Sequence, residues 1–325
     1  MESYKEIDLD YQVRSNVLGI VDVVPGEPEM SEFESAFLAG VIKKSKPKKV
    51  LEIGVAAGGT TAIILDSLER NSNEYIMFSL DLNDKFYRDK AKKTGFLAEQ
   101  YKQNKPLKKG THSLITGNYA PLSAEVIGNQ IDLIIIDTVH ALPGEILDFL
   151  AFYPHFSSDA FVVLHDTSLN HKGKIKPNRS YATKLLFDVI KADKYVNFDL
   201  SEGYLFPNIA AFQVNHFTRV GVIDLISSLT ISWEYFPTEE EIVIYTDVIS
   251  NNYDSSVIEL WGKVIQQQRE TMSPTNKSQS TYRNITVKRG GFIYLIYMIK
   301  VSSRFLLDNG PRALLQKILE RLKHL

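Results

Sequence analysis

Short apolar runs alternate with helix-like patterns between about residue 50 and residue 214 of the chain. Strands that are buried on both faces of a sheet appear as unbroken apolar runs, and their alternation with helices is typical of a parallel sheet. The pattern therefore predicts an α/β fold with a doubly wound, mostly parallel, Rossmann-like sheet. The predicted strands are residues 50–53, 76–80, 131–136, 161–164 and 210–214.

Outside this alternation the pattern changes several times, and the changes divide the chain into five parts. An N-terminal arm, residues 1–28, ends at a Pro-Gly-Glu-Pro breaker, after which Ser31 and Glu34 form a helix capping box. The alternating region is the main domain, residues 29–220. The predicted helical C-terminal extension has three parts: a helical appendage at 221–270, a polar linker at 271–284 and a basic amphipathic tail at 285–325.

The composition narrows the class of protein. Hydrophobic residues make up 44% of the chain and charged residues 23%, as in soluble globular proteins. The absence of cysteine excludes disulfide scaffolds, thiolate zinc sites and iron–sulfur clusters. No signal-like segment opens the sequence, and the longest apolar run, residues 292–299, is far shorter than the roughly twenty residues that span a bilayer. We expect a cytoplasmic protein.

The net charge of −2 is unevenly distributed. The tail, residues 285–325, carries eight Lys or Arg and two acidic residues, so its charge is +6 and that of the rest is −8. Such a tail can lie on the inner face of an anionic membrane, or it can be a packed or oligomerisation helix. Because the basic charge is confined to one segment, we expect no nucleic-acid partner.

A glycine turn follows the first predicted strand and leads into a helix at about residue 60. Gly54 and Gly58 allow a ligand to approach the backbone, and the helix N-terminus supplies N–H donors. Their Gly-x-x-x-Gly spacing differs from the nicotinamide and flavin fingerprint, and no Gly-Lys-Ser/Thr of a P-loop follows. Glu52, two residues before Gly54, would repel a diphosphate and favours a cationic ligand.

Two aspartates follow neighbouring strands of the predicted sheet. Asp137 lies just past the strand at 131–136, His140 comes three residues later, and Asp166 follows the strand at 161–164. The aspartates are 29 residues apart, about one βαβ unit, so we expect both at the carboxyl ends of adjacent strands. Two converging carboxylates favour a hard divalent cation such as Mg²⁺.

These motifs resemble those of class I S-adenosylmethionine-dependent methyltransferases. The resemblance implies S-adenosylmethionine as cofactor, with Glu52 near its ammonium and the turn at Gly54 and Gly58 against its methionine moiety. An acid at the end of the second predicted strand can accept hydrogen bonds from both ribose hydroxyls, which is the implied role of Asp81. Asn118 lies in the implied adenine-side loop. Asp81 also has a structural interpretation, as an ordinary strand-end or capping acid.

Over residues 30 to 215 the chain resembles the metal-dependent O-methyltransferases, including the catechol type and the branch related to cephalosporin hydroxylase and rhamnosyl O-methyltransferases. The resemblance implies that Asp137 and Asp166 bind the metal, that His140 replaces a lysine as the base, and that Thr167 stands in the place of a third ligand. His165 stands where some relatives have an acid. The alternatives are a metal-free acidic pair and a histidine that holds a loop.

The predicted function is transfer of a methyl group to a hydroxyl of a sugar-containing acceptor: a nucleotide sugar, a glycolipid or a surface polysaccharide. The acceptor class is implied by the resemblance to the rhamnosyl branch. The basic run at residues 171–179 can bind an acceptor phosphate or carboxylate, or it can be a solvated loop. The alternatives are a phenolic or natural-product O-methyltransferase, a hydroxylase-like relative, and a non-catalytic S-adenosylmethionine-binding subunit of a glycan-synthesis complex.

Overall fold

A computed structural model describes residues 4–22, 30–169, 181–198 and 205–271 of the protein. Four predicted segments lie wholly or partly outside the described residues: the arm at residues 1–3 and 23–28, the basic run at 171–179, the linker from residue 272 and the tail at 285–325. The predictions made for these segments therefore stay predictions.

Within the described ranges, seven strands form one sheet in the order β3-β2-β1-β4-β5-β7-β6. Neighbours from β3 to β5 are parallel, whereas β7 pairs antiparallel with β5 and β6 pairs antiparallel with β7. The strands are β1 (Lys49–Ile53), β2 (Tyr75–Asp81), β3 (Gly110–Thr116), β4 (Ile131–Ile136), β5 (Phe156–His165), β6 (Asp193–Tyr195) and β7 (Ile209–Gln213).

The predicted doubly wound, mostly parallel sheet is confirmed, with two differences. The predicted strand at 210–214 is antiparallel to its neighbour β5, and it pairs antiparallel with β6 on its other side. The sequence pattern gives no bounds for β3 and does not predict β6. β3 is a partly exposed edge strand with the mixed sequence Gly-Thr-His-Ser-Leu-Ile-Thr, and β6 has only three residues, so neither forms an apolar run.

Helices cover both faces of the sheet. Alternate residues of the central strands enter two separate cores: Leu51 and Ile134 lie in one, and Val50 and Leu133 lie in the other. The helices are α1 (Gln12–Leu18), α2 (Glu32–Ser45), α3 (Gly59–Asn71), α4 (Phe96–Asn104), α5 (Ala124–Ile127), α6 (Gly144–Phe152), α7 (Ala182–Val189), α8 (His216–Ser228), α9 (Glu239–Asn252) and α10 (Ser255–Thr271).

Helices α8, α9 and α10 form the helical extension that the sequence predicts. They pack on the same core as α6: Tyr245 donates a hydrogen bond to Asp148 Oδ1 (3.0 Å), and Tyr253 donates one to the Leu150 carbonyl oxygen (2.6 Å). The predicted boundary at residue 220 falls inside α8. Among the described residues, no helix is both long enough and apolar enough to cross a membrane.

Candidate active site at the carboxyl edge of the sheet

The turn between β1 and α3 depends on two glycines in left-handed backbone conformations. Gly54 has φ +95° and Gly58 has φ +91°. A Cβ at position 54 would lie 1.7 Å from the carbonyl oxygen of Asp137, and one at position 58 would lie 2.9 Å from the Cα of Gly95. The turn therefore packs closely against the end of β4 on one side and the start of α4 on the other.

Asp81, the last residue of β2, holds this turn in place. Its Oδ2 accepts hydrogen bonds from the backbone N–H groups of Val55 and Ala56, both at 3.0 Å, and its Oδ1 accepts one from the N–H of Asn83 at 2.7 Å. The side-chain NH₂ of Asn83 donates a fourth hydrogen bond, to Oδ1 at 3.4 Å. The roughly four lone-pair sites of the carboxylate are therefore all used, the last of them by this longest bond. The structure thus brings Asp81 to the predicted cofactor turn and gives it a second, structural role there.

Asn118 lies beside Asp81, beyond the end of β3. Gly117, with φ +80°, donates its N–H to the carbonyl oxygen of Asp81 at 3.1 Å. The side-chain oxygen of Asn118 is buried and has no hydrogen-bond partner among the described residues. A buried acceptor without a donor is unfavourable, and a ligand amine such as that of adenine would satisfy it. This orphaned oxygen fits the predicted cofactor.

Glu52 is fully buried within β1 and faces α3 and β2. Its Oε2 accepts hydrogen bonds from the hydroxyls of Thr61 (2.8 Å) and Ser79 (2.6 Å), while Oε1 has no partner among the described residues. Burial raises the pKa of the Glu52 carboxyl to about 8. The group is therefore neutral near pH 7 unless a cation reaches Oε1, and its predicted contact with the cofactor ammonium stays a prediction.

Asp137, His140 and Asp166 converge at the same edge of the sheet. His140 Nε2 lies 3.6 Å from Asp137 Oδ1 and 3.3 Å from Asp166 Oδ2, and one ligand atom of each residue lies within 4.8 Å of the others. His140 and Asp166 have left-handed backbones, with φ +52° and +59°. The two carboxylates suit a hard divalent cation, so they fit the predicted metal, and His140 lies beside both of them as the predicted base.

The other side of the His140 ring faces a buried acid that the sequence analysis missed. His140 Nδ1 lies 3.6 Å from Glu145 Oε1, and the same oxygen accepts the backbone N–H of His140. Burial raises the pKa of Glu145 to about 7. Burial alone would lower the pKa of His140, but the carboxylates of Asp166, Asp137 and Glu145 raise it above its ordinary value.

Thr167, which stands in the place of a third ligand, has its hydrogen-bond partners outside this cluster, and its role as a ligand stays a prediction. Thr167 is fully buried, and its hydroxyl donates a hydrogen bond to the carbonyl oxygen of Pro207 at 2.6 Å. Its backbone N–H donates a hydrogen bond to the carbonyl oxygen of Asn208 at 3.1 Å. The chain turns inward directly after Asp166, so the Thr167 side chain is used to join β5 to the start of β7. His140 is the third group that the structure brings to the two aspartates.

Three further side chains lie behind the aspartates. His165 Nδ1 is 3.2 Å from Asp137 Oδ2, and its Nε2 is 3.3 Å from Glu34 Oε1. Asn208 donates hydrogen bonds to Glu34 Oε1 (2.7 Å) and to Asp166 Oδ1 (2.8 Å). The sequence pattern predicts only a capping role for Glu34 and no role for Asn208, although a polar residue just before a buried strand is a usable signal.

The charges in this group are mutually dependent. Burial would raise the pKa of Glu34, but the hydrogen bond and the charge of His165 lower it to about 2. Burial would likewise lower the pKa of His165, but Asp137 and Asp166 raise it well above its ordinary value. Burial opposes ionisation of Asp137 as well, and His165 lowers its pKa. An imidazolium between carboxylates is the state that this geometry favours.

Three of the solved structures to which the chain is similar are methyltransferases. An O-methyltransferase from Streptomyces achromogenes, involved in tomaymycin synthesis and in complex with SAM, is 14% identical, covers 64% of this chain and 92% of its own, and has a TM-score of 0.42. A methyltransferase from Podospora anserina, bound to SAH, is 14% identical over 65% of this chain and 90% of its own, with a TM-score of 0.42. An O-methyltransferase from Bacillus cereus in complex with SAH is 17% identical over 62% and 90%, with a TM-score of 0.37.

A comparison with curated proteins gives no match. A comparison with protein families gives a match to a methyltransferase domain over residues 51–167. The matched segment contains both glycines of the turn, Asp81, Asn118 and the two aspartates of the cluster, whereas Glu34 and Asn208 lie outside it. The match confirms the predicted enzyme class, a methyltransferase.

Proposed function

We propose that the protein transfers a methyl group from S-adenosylmethionine to a hydroxyl of a sugar-containing acceptor, with a divalent metal ion, Mg²⁺, at the acidic cluster. The observation that carries this proposal is the close approach of Gly54 to Asp137, which joins the cofactor turn to the cluster at one edge of the sheet. Methyl transfer is an in-line displacement, so donor and acceptor sites have to adjoin in this way.

The cofactor lies over the glycine turn in this proposal. The turn at Gly54 and Gly58 faces its methionine moiety, Asp81 accepts from a ribose hydroxyl in place of the long bond from the Asn83 side chain, and Asn118 accepts from the adenine amine. Glu52 Oε1 is the buried acceptor on the ammonium side. An ammonium there would stabilise the ionised carboxylate, whose burial is otherwise unfavourable.

The acceptor hydroxyl is activated at the cluster. Asp137 and Asp166 would hold the ion, and two carboxylates with water are a common set of ligands for Mg²⁺. A divalent ion supplies a fixed position for the acceptor oxygen and a lower pKa for its hydroxyl. His140, which faces both aspartates through Nε2, accepts the proton. Glu145 lies against the opposite ring nitrogen and stabilises the imidazolium that forms.

The sugar class of the acceptor is the finer part of the proposal. It is supported by the resemblance to the rhamnosyl branch and by the basic run at 171–179, which follows Asp166 in the sequence. Contact of the basic tail with an anionic membrane, self-association of the chain and the cytoplasmic location belong to the same proposal. Each would suit the methylation of lipid-linked or polymeric glycans.

The first experiment is isothermal titration of S-adenosylhomocysteine into the full-length protein, with Mg²⁺ and with excess EDTA. We expect micromolar binding, and the absence of binding under both conditions would overturn the proposal.

The second experiment measures transfer of a radiolabelled methyl group to nucleotide sugars, glycolipids and catechol. Transfer to catechol alone would show that the acceptor is a phenol and not a sugar. We expect excess EDTA to abolish the transfer, and transfer that continues in EDTA would overturn the role of the metal ion.

A further inference from the structure

A buried polar group lies behind the acidic cluster and consists of Glu34, His165 and Asn208. Their side chains come from α2, from the end of β5 and from the residue before β7. Glu34 is 4% exposed, His165 4% and Asn208 1%, so none of them contributes appreciably to the surface. Polar groups are unfavourable at such positions unless they are well paired, so this arrangement calls for an explanation.

Each aspartate of the cluster is held through one oxygen and left open at the other. Asp137 has Oδ2 beside His165 and Oδ1 toward His140. Asp166 has Oδ1 bonded to Asn208 and Oδ2 toward His140. The two held oxygens lie on the buried side and the two open oxygens converge on the site.

Glu34 connects the two supports to each other. Its Oε1 accepts a hydrogen bond from Asn208 at 2.7 Å and lies 3.3 Å from His165 Nε2. Its Oε2 accepts the backbone N–H of Ser31 at 2.6 Å, so the capping box of α2 fixes the orientation of the carboxylate. A single helix N-terminus therefore orients the groups that hold both aspartates.

We propose that Glu34, His165 and Asn208 are positioning residues that fix the carboxylates of Asp137 and Asp166 in the arrangement that binds the divalent ion. The inference rests on the proposed function in that an ion has to bind at the cluster. Ligating carboxylates are generally hydrogen-bonded from behind, and loss of such a partner typically costs 10–100-fold in metal affinity or activity.

The opposite strand direction of β7 makes this support possible. Asn208 precedes Ile209, which pairs with His165 in the antiparallel ladder, so the start of β7 meets the carboxyl end of β5. Asn208 Oδ1 also accepts a hydrogen bond from the Ser168 hydroxyl at 2.9 Å. This bond fixes the amide with its NH₂ toward Glu34 and Asp166. Asn208 can thus donate to both carboxylates at once.

The test measures binding of Mn²⁺, a paramagnetic substitute for Mg²⁺, to full-length variants by electron paramagnetic resonance. We expect Glu34→Gln and Asn208→Ala to weaken the Kd for Mn²⁺ about 10–100-fold. S-adenosylhomocysteine should bind each of them within about threefold of the unaltered protein, because its predicted contacts lie on the other side of Gly54.

Two matched controls separate positioning from general stability. Glu241 is the buried capping-box carboxylate of α9, as Glu34 is of α2, and Asn197 joins two segments through hydrogen bonds to Ile7. Glu241→Gln and Asn197→Ala should reduce the thermal midpoint and leave Mn²⁺ affinity unchanged. If Glu34→Gln does not fold, Asn208→Ala and the smaller change Asn208→Ser still decide the question.

The outcomes are distinct for the two proposals. Unchanged Mn²⁺ affinity in folded Glu34→Gln or Asn208 variants would overturn the positioning role while leaving the proposed function intact. If the unaltered protein binds S-adenosylhomocysteine but no Mn²⁺, the metal part of the proposed function fails and the positioning role fails with it. Equal weakening of Mn²⁺ affinity in the control variants Glu241→Gln and Asn197→Ala would also overturn the positioning role.

Discussion

The carbonyl oxygen of Asp137 lies 1.7 Å from the point that a Cβ at Gly54 would occupy. We expect Gly54→Ala to lower the free energy of unfolding by several kcal/mol, since a backbone clash is added to a left-handed backbone at φ +95°. Gly262→Ala is the control, because this glycine lies within α10 and a Cβ there meets nothing within 4 Å. It should stabilise the protein by about 0.5–1 kcal/mol in urea unfolding. Similar values for both variants would contradict the close contact.

His140 is predicted to accept the proton from the acceptor. His140→Ala should reduce kcat about 10²-fold or more, the usual contribution of a general base. Affinities for S-adenosylhomocysteine and Mn²⁺ should stay the same, because Asp137 and Asp166 remain. His155, which is bonded to Asn129 well away from the cluster, provides the control, and His155→Ala should leave kcat unchanged. Unchanged turnover in His140→Ala would exclude the base, and loss of Mn²⁺ binding would make His140 a ligand instead.

The buried carboxyl of Glu52 is predicted to make the free energy of unfolding depend on pH. Its pKa is about 8 in the folded protein and near 4.5 when unfolded, so between these values only the unfolded chain releases the proton. The free energy of unfolding therefore falls through this group by up to about 1.4 kcal/mol per pH unit as the pH rises from 4.5 to 8.

Glu52→Gln removes this dependence and should make the protein more stable than the unaltered chain at pH 7.5, while the two differ little near pH 4.5. Urea unfolding at pH 5, 6 and 7.5 measures the difference between the two slopes. Curves that run parallel across this range would show that Glu52 is ionised in the folded protein. A saturating cofactor that brings an ammonium to Oε1 should reduce the slope of the unaltered chain.

The central part of the fold follows from the sequence because buried parallel strands have a strong signal. The apolar runs predict β1, β2, β4 and β5 within a few residues, and the polar residues at their carboxyl ends predict Asp81, Asp137 and Asp166 as neighbours of one edge. The edge strands β3 and β6 have no such signal, since one is half exposed and the other is three residues long.

The positions of Asn208 and Thr167 could not be predicted from the same reasoning. If the strand at 210–214 were parallel to β5, Asn208 would lie at the opposite edge of the sheet, whereas the antiparallel β7 places it beside Asp166. The sequence pattern predicts a parallel strand at 210–214, and this direction is wrong. The position of Thr167 directly after Asp166 does not reveal that its hydroxyl donates a hydrogen bond to the carbonyl oxygen of Pro207.

Asp81 has a matched counterpart at the other edge of the sheet, which allows its two roles to be separated. Asp81 Oδ2 accepts the N–H groups of Val55 and Ala56, and Asp132 Oδ2 accepts those of Lys48 and Lys49 at 2.9 and 3.0 Å. An Asn at either position loses the charge that strengthens these bonds, so both Asp81→Asn and Asp132→Asn should lower stability by about 1–3 kcal/mol.

Only Asp81→Asn should also weaken the binding of S-adenosylhomocysteine, by about tenfold or more, because a ribose hydroxyl loses a charged acceptor and the turn beneath the ligand loosens. Calorimetric titration of both variants, with urea unfolding alongside, measures the two effects separately. Equal loss of affinity in Asp132→Asn would assign the effect to stability alone. An unchanged Kd in Asp81→Asn would remove this residue from the cofactor site and leave it the single role of holding the glycine turn.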